Sequence, residues 1–250
     1  MAFSVNDNGT WKTVKKLSVN DGTWKNVKSG WINKNGVWTK FYSSSVVTFI
    51  EAIGGGGGSG GTYVFVYSNG GDYPACSWGG GFAGACTKTT SIEIGTVLNI
   101  GVGGGGAAGA RVRSGNRGCA PAGSAGGSST VTGGGVGMTA GGGGGGGGGC
   151  GTCAGCQTAG CGGSPGSGSG GDANYTGGYN GCYAYGSFGP YVISTYGKGG
   201  ATCGGAGVQG VVRITIPTDA SVSTTGAVSI TTVGSNNLYL FTGNGTMTFN

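Results

Sequence analysis

Nine consecutive glycines occupy positions 141–149, and shorter runs stand at 54–58 and 103–106. Glycine loses more backbone entropy on ordering than any other residue. At about 1–2 kcal/mol each, fixing nine of them costs on the order of 10–20 kcal/mol. No side chains offset that cost, so order must come from main-chain hydrogen bonds. An extended polyproline-II strand makes none internally, and all its N–H and C=O groups need outside partners. Strands without Cβ atoms approach closely enough to supply them. Several such strands side by side make a rigid core of backbone alone.

Of the 67 glycines in this 250-residue chain, 59 lie between residues 54 and 217. Five prolines and no Gly-X-Y period exclude collagen. Disorder fits poorly, because 36% of residues are hydrophobic, 10% are aromatic and the net charge is only +6. The chain has no histidine, which excludes Ser-His-Asp and Cys-His catalysis and Cys2His2 zinc fingers. The start, MAFSVNDNGTWK, lacks the apolar stretch of a secretory signal. No apolar run approaches the length of a membrane helix. The expectation is a soluble product of cytoplasmic synthesis without membrane insertion.

The chain divides into three parts, all read as β-structure. Residues 1–44 hold an internal repeat: VNDNGTWKTVKKLS from Val5, VNDGTWKNVKSGW from Val19 and INKNGVWTKFYSS from Ile32. Each unit has an apolar residue, an Asn/Gly turn, then Trp and a basic stretch, the pattern of a short hairpin. Trp11, Trp24 and Trp38 recur, with Trp31 between the second and third units, and seven of the thirteen Lys and Arg residues lie here. A hairpin this small cannot bury its own Trp face. The segment is therefore expected to attach the chain to other copies of itself or to a larger particle. Lysines beside tryptophans also suit nucleic acid. Regular spacing favours solvated strand faces, and no nucleic-acid partner is expected.

Residues 45–217 carry the glycine segments, separated by readable strands at 47–51, 62–67 and 212–216. Residues 91–94 and 97–100 flank Gly95-Thr96 as a predicted hairpin. Residues 218–250 form a third, C-terminal element, with strands predicted at 227–230, 237–241 and 246–249 and a turn at Gly243-Asn244-Gly245.

Nine cysteines leave several chemistries open. Cys150, Cys153, Cys156 and Cys161 have spacing compatible with zinc or an iron–sulfur cluster, with exchanging disulfides or with free thiols. Cys76 with Cys86, and Cys182 with Cys203, are candidate disulfides. No cofactor is expected, and the seven acidic residues show no catalytic pairing, so the chain does not read as an enzyme. Binding candidates are aromatic and basic. Tyr175, Tyr179, Tyr183, Tyr185, Phe188, Tyr191 and Tyr196 cluster without strand alternation, suited either to recognition or to packing over glycine strands. Arg111, Arg113 and Arg117 suit phosphate or acidic sugar. Tyr73, Trp78 and Phe82 mark a further aromatic loop.

The ordered motifs VVTFIEAIGGGGGSGG (from Val46), TTSIEIGTVLNIGVGGGG (Thr89), GSSTVTGGG (Gly127), TAGGGGGGGGG (Thr139), GSGSGGDANYTGG (Gly166) and GGAGVQGVVRITIP (Gly204) resemble the glycine-rich domain of bacteriophage tail fibres and tail-fibre adhesins. The Trp-Lys repeat also resembles short modules of phage tail proteins. The cysteines and the 33 residues after Pro217 depart from that pattern. The resemblance implies a polyglycine-II sandwich whose loops contact a host glycan or outer-membrane protein. It implies a homotrimeric virion protein joined to tail, baseplate or fibre partners by its N-terminal repeats. A purely structural virion component without receptor binding is the alternative.

Overall fold

Val212, Ile214 and Ile216 alternate with Arg213 and Thr215, and this two-residue period sets which face of the strand is buried. The computed structural model of the chain describes residues 4–7, 10–13, 17–20, 22–27, 29–34, 36–43, 45–67, 70–75, 77–153, 156–177 and 196–250. The described residues contain strands and no helix, so the fold is all-β. Strands are numbered β1 to β22 along the chain.

Three hairpins come first: β1 (Ser4–Asp7) with β2 (Thr10–Thr13), β3 (Leu17–Asn20) with β4 (Trp24–Val27), and β5 (Ser29–Lys34) with β6 (Val37–Ser43). Their registers repeat as the sequence does: Trp11 stands opposite Asn6, Trp24 opposite Asn20 and Trp38 opposite Asn33. In the second and third units the Asn side chain accepts a turn N–H, Gly22 to Asn20 and Gly36 to Asn33, both at 3.0 Å. Both glycines hold positive φ, +101° and +83°. Among the described residues, no ladder joins one hairpin to the next.

The main sheet contains β7 (Ser45–Ile53), β10 (Ala85–Glu93), β11 (Val97–Gly101), β14 (Ser129–Gly133), β15 (Val136–Ala140), β18 (Gly168–Ser169), β19 (Ala173–Tyr175), β20 (Val211–Pro217), β21 (Val222–Val233) and β22 (Asn236–Phe249). Its order is β18-β15-β14-β11-β22-β20-β7-β10-β19, antiparallel throughout, with β21 also paired to β22. β18 and β19 lie at opposite ends of that order yet are joined by a short turn and bridged at Ser167–Thr176. The sheet is therefore a nearly closed barrel. Ile50, Ile92, Leu98, Met138, Ile214, Phe241, Met247 and Phe249 belong to one buried core. On the other face of β7, Glu51 is buried and ion-paired with its cross-strand neighbour Arg213. Removing either partner would leave a buried charge, a cost of about 3–5 kcal/mol.

Two expectations change. Residues 91–94 and 97–100 are linked by a turn but do not pair. β22, β20 and β7 lie between them in the sheet, and the end of β22 bonds the turn itself: the Gly95 N–H donates to the Phe249 carbonyl, and the Phe249 N–H to that of Thr96. The C-terminal residues are not a separate element either. β22 is one continuous strand in mid-sheet, and the chain reverses before it, at Gly234. The predicted turn at 243–245 is an irregularity within β22. There Gly226 and Gly245 let the backbones of β21 and β22 come close.

From the barrel rises a lattice of glycine strands. Residues 54–61 are all buried and form its centre. Their N–H groups donate at 2.8–3.2 Å with a period of three. Gly54, Gly57 and Gly60 donate to Gly84, Gly81 and Trp78; Gly55, Gly58 and Gly61 to Gly127, Ser124 and Pro121; Gly56 and Ser59 to Val208 and Gly205. Their carbonyls accept from Gly143, Gly146 and Gly149, from Gly106 and Gly109, and from Gly200. One strand thus bonds six neighbours, as expected for three residues per turn. Where no glycine N–H is in place, serine takes over: Ser77 donates to the Gly60 carbonyl, and Ser129 to that of Ile53 at 2.7 Å.

A Cβ on Gly57 would lie 1.9 Å from the Gly144 carbonyl oxygen, whereas one on Gly104 meets nothing within 4 Å. Gly57→Ala is expected to cost at least about 3 kcal/mol or to prevent folding. Gly104→Ala should change stability by less than about 1 kcal/mol. Thermal unfolding of the two variants checks the lattice directly.

The barrel closure titrates. The Thr89 N–H donates to Asp172 at 2.7 Å, and Lys88 lies 3.5 Å away. The Thr89 hydrogen bond first, and the lysine charge second, hold the Asp172 carboxyl below its ordinary value. A lowered folded pKa stabilises above the unfolded value of about 4, and that contribution is lost as pH falls through the folded value. The protection factor of the Thr89 amide, its exchange rate relative to an unstructured chain at the same pH, should therefore fall below about pH 4, and Asp172→Asn should remove that pH dependence.

Candidate functional site

The direction of the glycine strands decides where the irregular loops gather. Residues 54–61 lead away from β7, and 103–110, 141–149 and 197–200 run alongside in the same sense. Segments 77–84, 120–127, 161–167 and 205–210 return toward the barrel. The described residues of the loops 62–77, 111–119, 150–160 and 201–204 therefore share the end remote from the barrel.

Two small sheets cap that end. β8 (Tyr63–Val66) pairs with β9 (Asp72–Ala75) and with β12 (Val112–Ser114). β13 (Gly118–Cys119), β16 (Cys150–Cys153) and β17 (Cys156–Thr158) form the other. Tyr63 is the packing centre of the first, buried with Ala75 and Ala120, and its hydroxyl donates to the Asn116 carbonyl. Gly151 of the second sheet lies against the Tyr63 ring, where a Cβ would come within 2.9 Å. A disulfide joins Cys119 to Cys150.

That bridge follows from one unbroken register. The Gly134-Gly135 turn sets Gly133 opposite Val136 and Ser129 opposite Ala140. The Gly126, Gly123 and Ala120 N–H groups then donate to Gly143, Gly146 and Gly149, and Cys119 meets Cys150. Counting outward from the glycine turn would have found this pair. The expected pairings fail instead: Cys86 is a free thiol in the barrel core, where burial pushes its pKa up, and Cys203 is a free, exposed thiol at the cap. Cys76 and Cys182 lie outside the described residues. With Cys150 oxidised, the Cys150, Cys153, Cys156 and Cys161 set loses a ligand. Among the described residues no cluster is placed to hold a metal.

The binding candidates separate. Tyr175 and Tyr196 pack against Ile53, Ala83, Ala85 and Val211 where barrel and lattice meet, so these two rings serve packing. Tyr179, Tyr183, Tyr185, Phe188 and Tyr191 lie outside the described residues. Trp78 and Phe82 are half-buried on a lattice strand, their carbonyls accepting from Gly60 and Gly166. Among the N-terminal candidates, Trp31 is exposed; the side chains of Trp11, Trp24 and Trp38 are outside the described set.

Tyr73 stands at the cap, exposed, with its ring 5.3 Å edge-on from Tyr67, which meets Phe65 at the same distance. Phe65 and Tyr67 were not singled out by sequence, because they sit in a run read only as a strand. Arg111, Arg113 and Arg117 are also at the cap, all exposed. Arg113 makes a forked pair with Asp72, Nη2 to Oδ1 at 2.7 Å and Nε to Oδ2 at 3.3 Å. Asp72 is the sole acid in the four cap loops. Arg111 and Arg117 therefore have no acid from these loops, and the cap is positive. No protein-family model and no curated protein matches this chain.

Reducing the Cys119–Cys150 bridge releases a closure across a separation of 31 residues. The expected loss is about 2–4 kcal/mol. Thermal unfolding of Cys119→Ser should reproduce it, while Cys161→Ser and Cys203→Ser leave the midpoint unchanged.

Proposed function

We propose that this chain is a phage virion protein, a tail-fibre or receptor-binding adhesin that contacts the host surface through its cap. The observation that carries this reading is the convergence of four loops on one end of a lattice that contributes almost no side chains of its own. A rigid backbone core fixes the loop ends before any ligand arrives, which lowers the ordering cost of binding. Tyr73 supplies a flat apolar face, and Arg111 and Arg117 supply positive charge that no acid of the cap loops offsets, chemistry that suits a glycan or an outer-membrane protein loop.

The three hairpins are assigned to attachment. Their equivalent Asn–Trp registers give a repeated surface for another virion protein or for copies of the chain in a homotrimer. Neither part needs catalysis or a cofactor in this role.

Purified protein should block adsorption of the phage. Tyr73→Ala combined with Arg117→Ala should weaken adsorption at least about tenfold while particles assemble normally, since a few aromatic and Arg anchors dominate such surfaces at about 2 kcal/mol or more each. Removing residues 1–43 should abolish incorporation into particles. Normal adsorption by the double variant, with the chain incorporated, favours a purely structural role.

A further inference from the structure

A cavity of about 400 Å³ opens at the cap, lined by Thr62, Pro74, Gly109, Arg111, Cys203 and Gly204. Its walls come from three of the four cap loops and the end of one lattice strand, so it exists only in the folded cap. We propose that this cavity binds the anionic group of an acidic sugar, with Arg111 as the counter-ion.

Three observations meet there. The first is charge. Arg113, two residues along, is already neutralised by its forked pair with Asp72, whereas Arg111 lines the cavity and is in no ion pair among the described residues. Guanidinium forms forked, charge-assisted hydrogen bonds to carboxylate and phosphate alike. The second is backbone strain. Cys203, at φ +64°, is the sole non-glycine residue with positive φ among the described residues. It is held there by its own N–H donated to Ser77 Oγ at 3.2 Å, and by the Gly204 N–H donated to Ser59 Oγ at 2.9 Å. Both serines are buried, so the lattice itself imposes the unfavourable conformation on this wall. Strain maintained by its surroundings is characteristic of binding sites. The third is room. A Cβ on Gly204 would meet nothing within 4 Å, and Gly109 adds no side chain to the wall. A volume near 400 Å³ is at the small end of ligand pockets and suits one sugar ring. Pro74 offers the ring an apolar surface, and its neighbour Tyr73 is exposed.

The host surface as the source of that sugar rests on the adhesin reading; the pocket chemistry does not, and free sugars test it. The full-length protein is titrated with glucuronate, glucose 6-phosphate, glucose and inorganic phosphate, followed by calorimetry or NMR. Glucuronate and glucose 6-phosphate should bind at least about tenfold more tightly than glucose, and both should weaken as salt rises past the point where the Debye length is about 8 Å. Arg111→Gln should lose at least about tenfold in affinity for both acidic sugars, since one such step is 1.4 kcal/mol. Lys198→Gln, which removes an exposed cation outside the cavity, should keep it. Glucose binding as well as glucuronate overturns the proposal, as does unchanged binding by folded Arg111→Gln. Inorganic phosphate binding as tightly as the sugars means an adventitious ion only, and also overturns it. If the acidic sugars bind through Arg111 yet the purified protein does not block adsorption, the pocket stands and the adhesin reading falls.

Discussion

The hydrogen bond from a glycine N–H to a carbonyl on a neighbouring strand, repeated every third residue, is the interaction on which this protein depends. It works only because no Cβ intervenes. Along 54–61 the built Cβ positions fall about 2 Å from a neighbour's carbonyl oxygen wherever glycine stands beyond the first residue. The usual relation between core and side chains is thereby inverted. In the barrel, apolar side chains fill the interior and the backbone forms its wall. In the lattice the backbone is the interior, and its stability comes from satisfying nearly every polar group of a chain that water would otherwise solvate.

The two cores are continuous. β7 runs directly into the central glycine strand, and β14 and β15 extend the register of strands 120–127 and 141–149. A change from strand pairing to lattice packing therefore needs no linker. Ser129 sits at that change, donating to the Ile53 carbonyl and accepting from the Gly103 N–H, so neither group is left unpaired in a buried position. The barrel anchors the foot of the lattice, and the Cys119–Cys150 bridge fastens two of its strands at the cap.

Side chains that do anything beyond packing are consequently pushed to the extremities. The cap carries three of the four arginines, the exposed Tyr73 and the strained Cys203; seven of the nine lysines fall within residues 1–44 of the sequence. The barrel wall offers less, with one exception. β21 has twelve residues, none of them charged, and pairs only with β22 among the described residues. Ile230 and Val233 on it are exposed. Such an edge lacks the lysine or proline that commonly guards one.

Much of this was written in the order of residues. The nine glycines at 141–149 required a backbone lattice because nothing else could order them, and the alternation in 212–216 required a strand with one buried face. The hairpin repeats followed from Asn/Gly turns that accept positive φ, a strictly local property. Tertiary structure alone decided the rest. Residues 95 and 96 read as a hairpin turn, but β22, β20 and β7 lie between the two arms in the sheet. Gly243-Asn244-Gly245 read as a reversal, but β22 runs through it as one strand paired with β21, and it is an irregularity of that pairing. The arginines at 111, 113 and 117 look equivalent in sequence. Only the fold brings Asp72 to one of them and a cavity to another, because lattice register, a long-range property, fixes which loops meet at the cap.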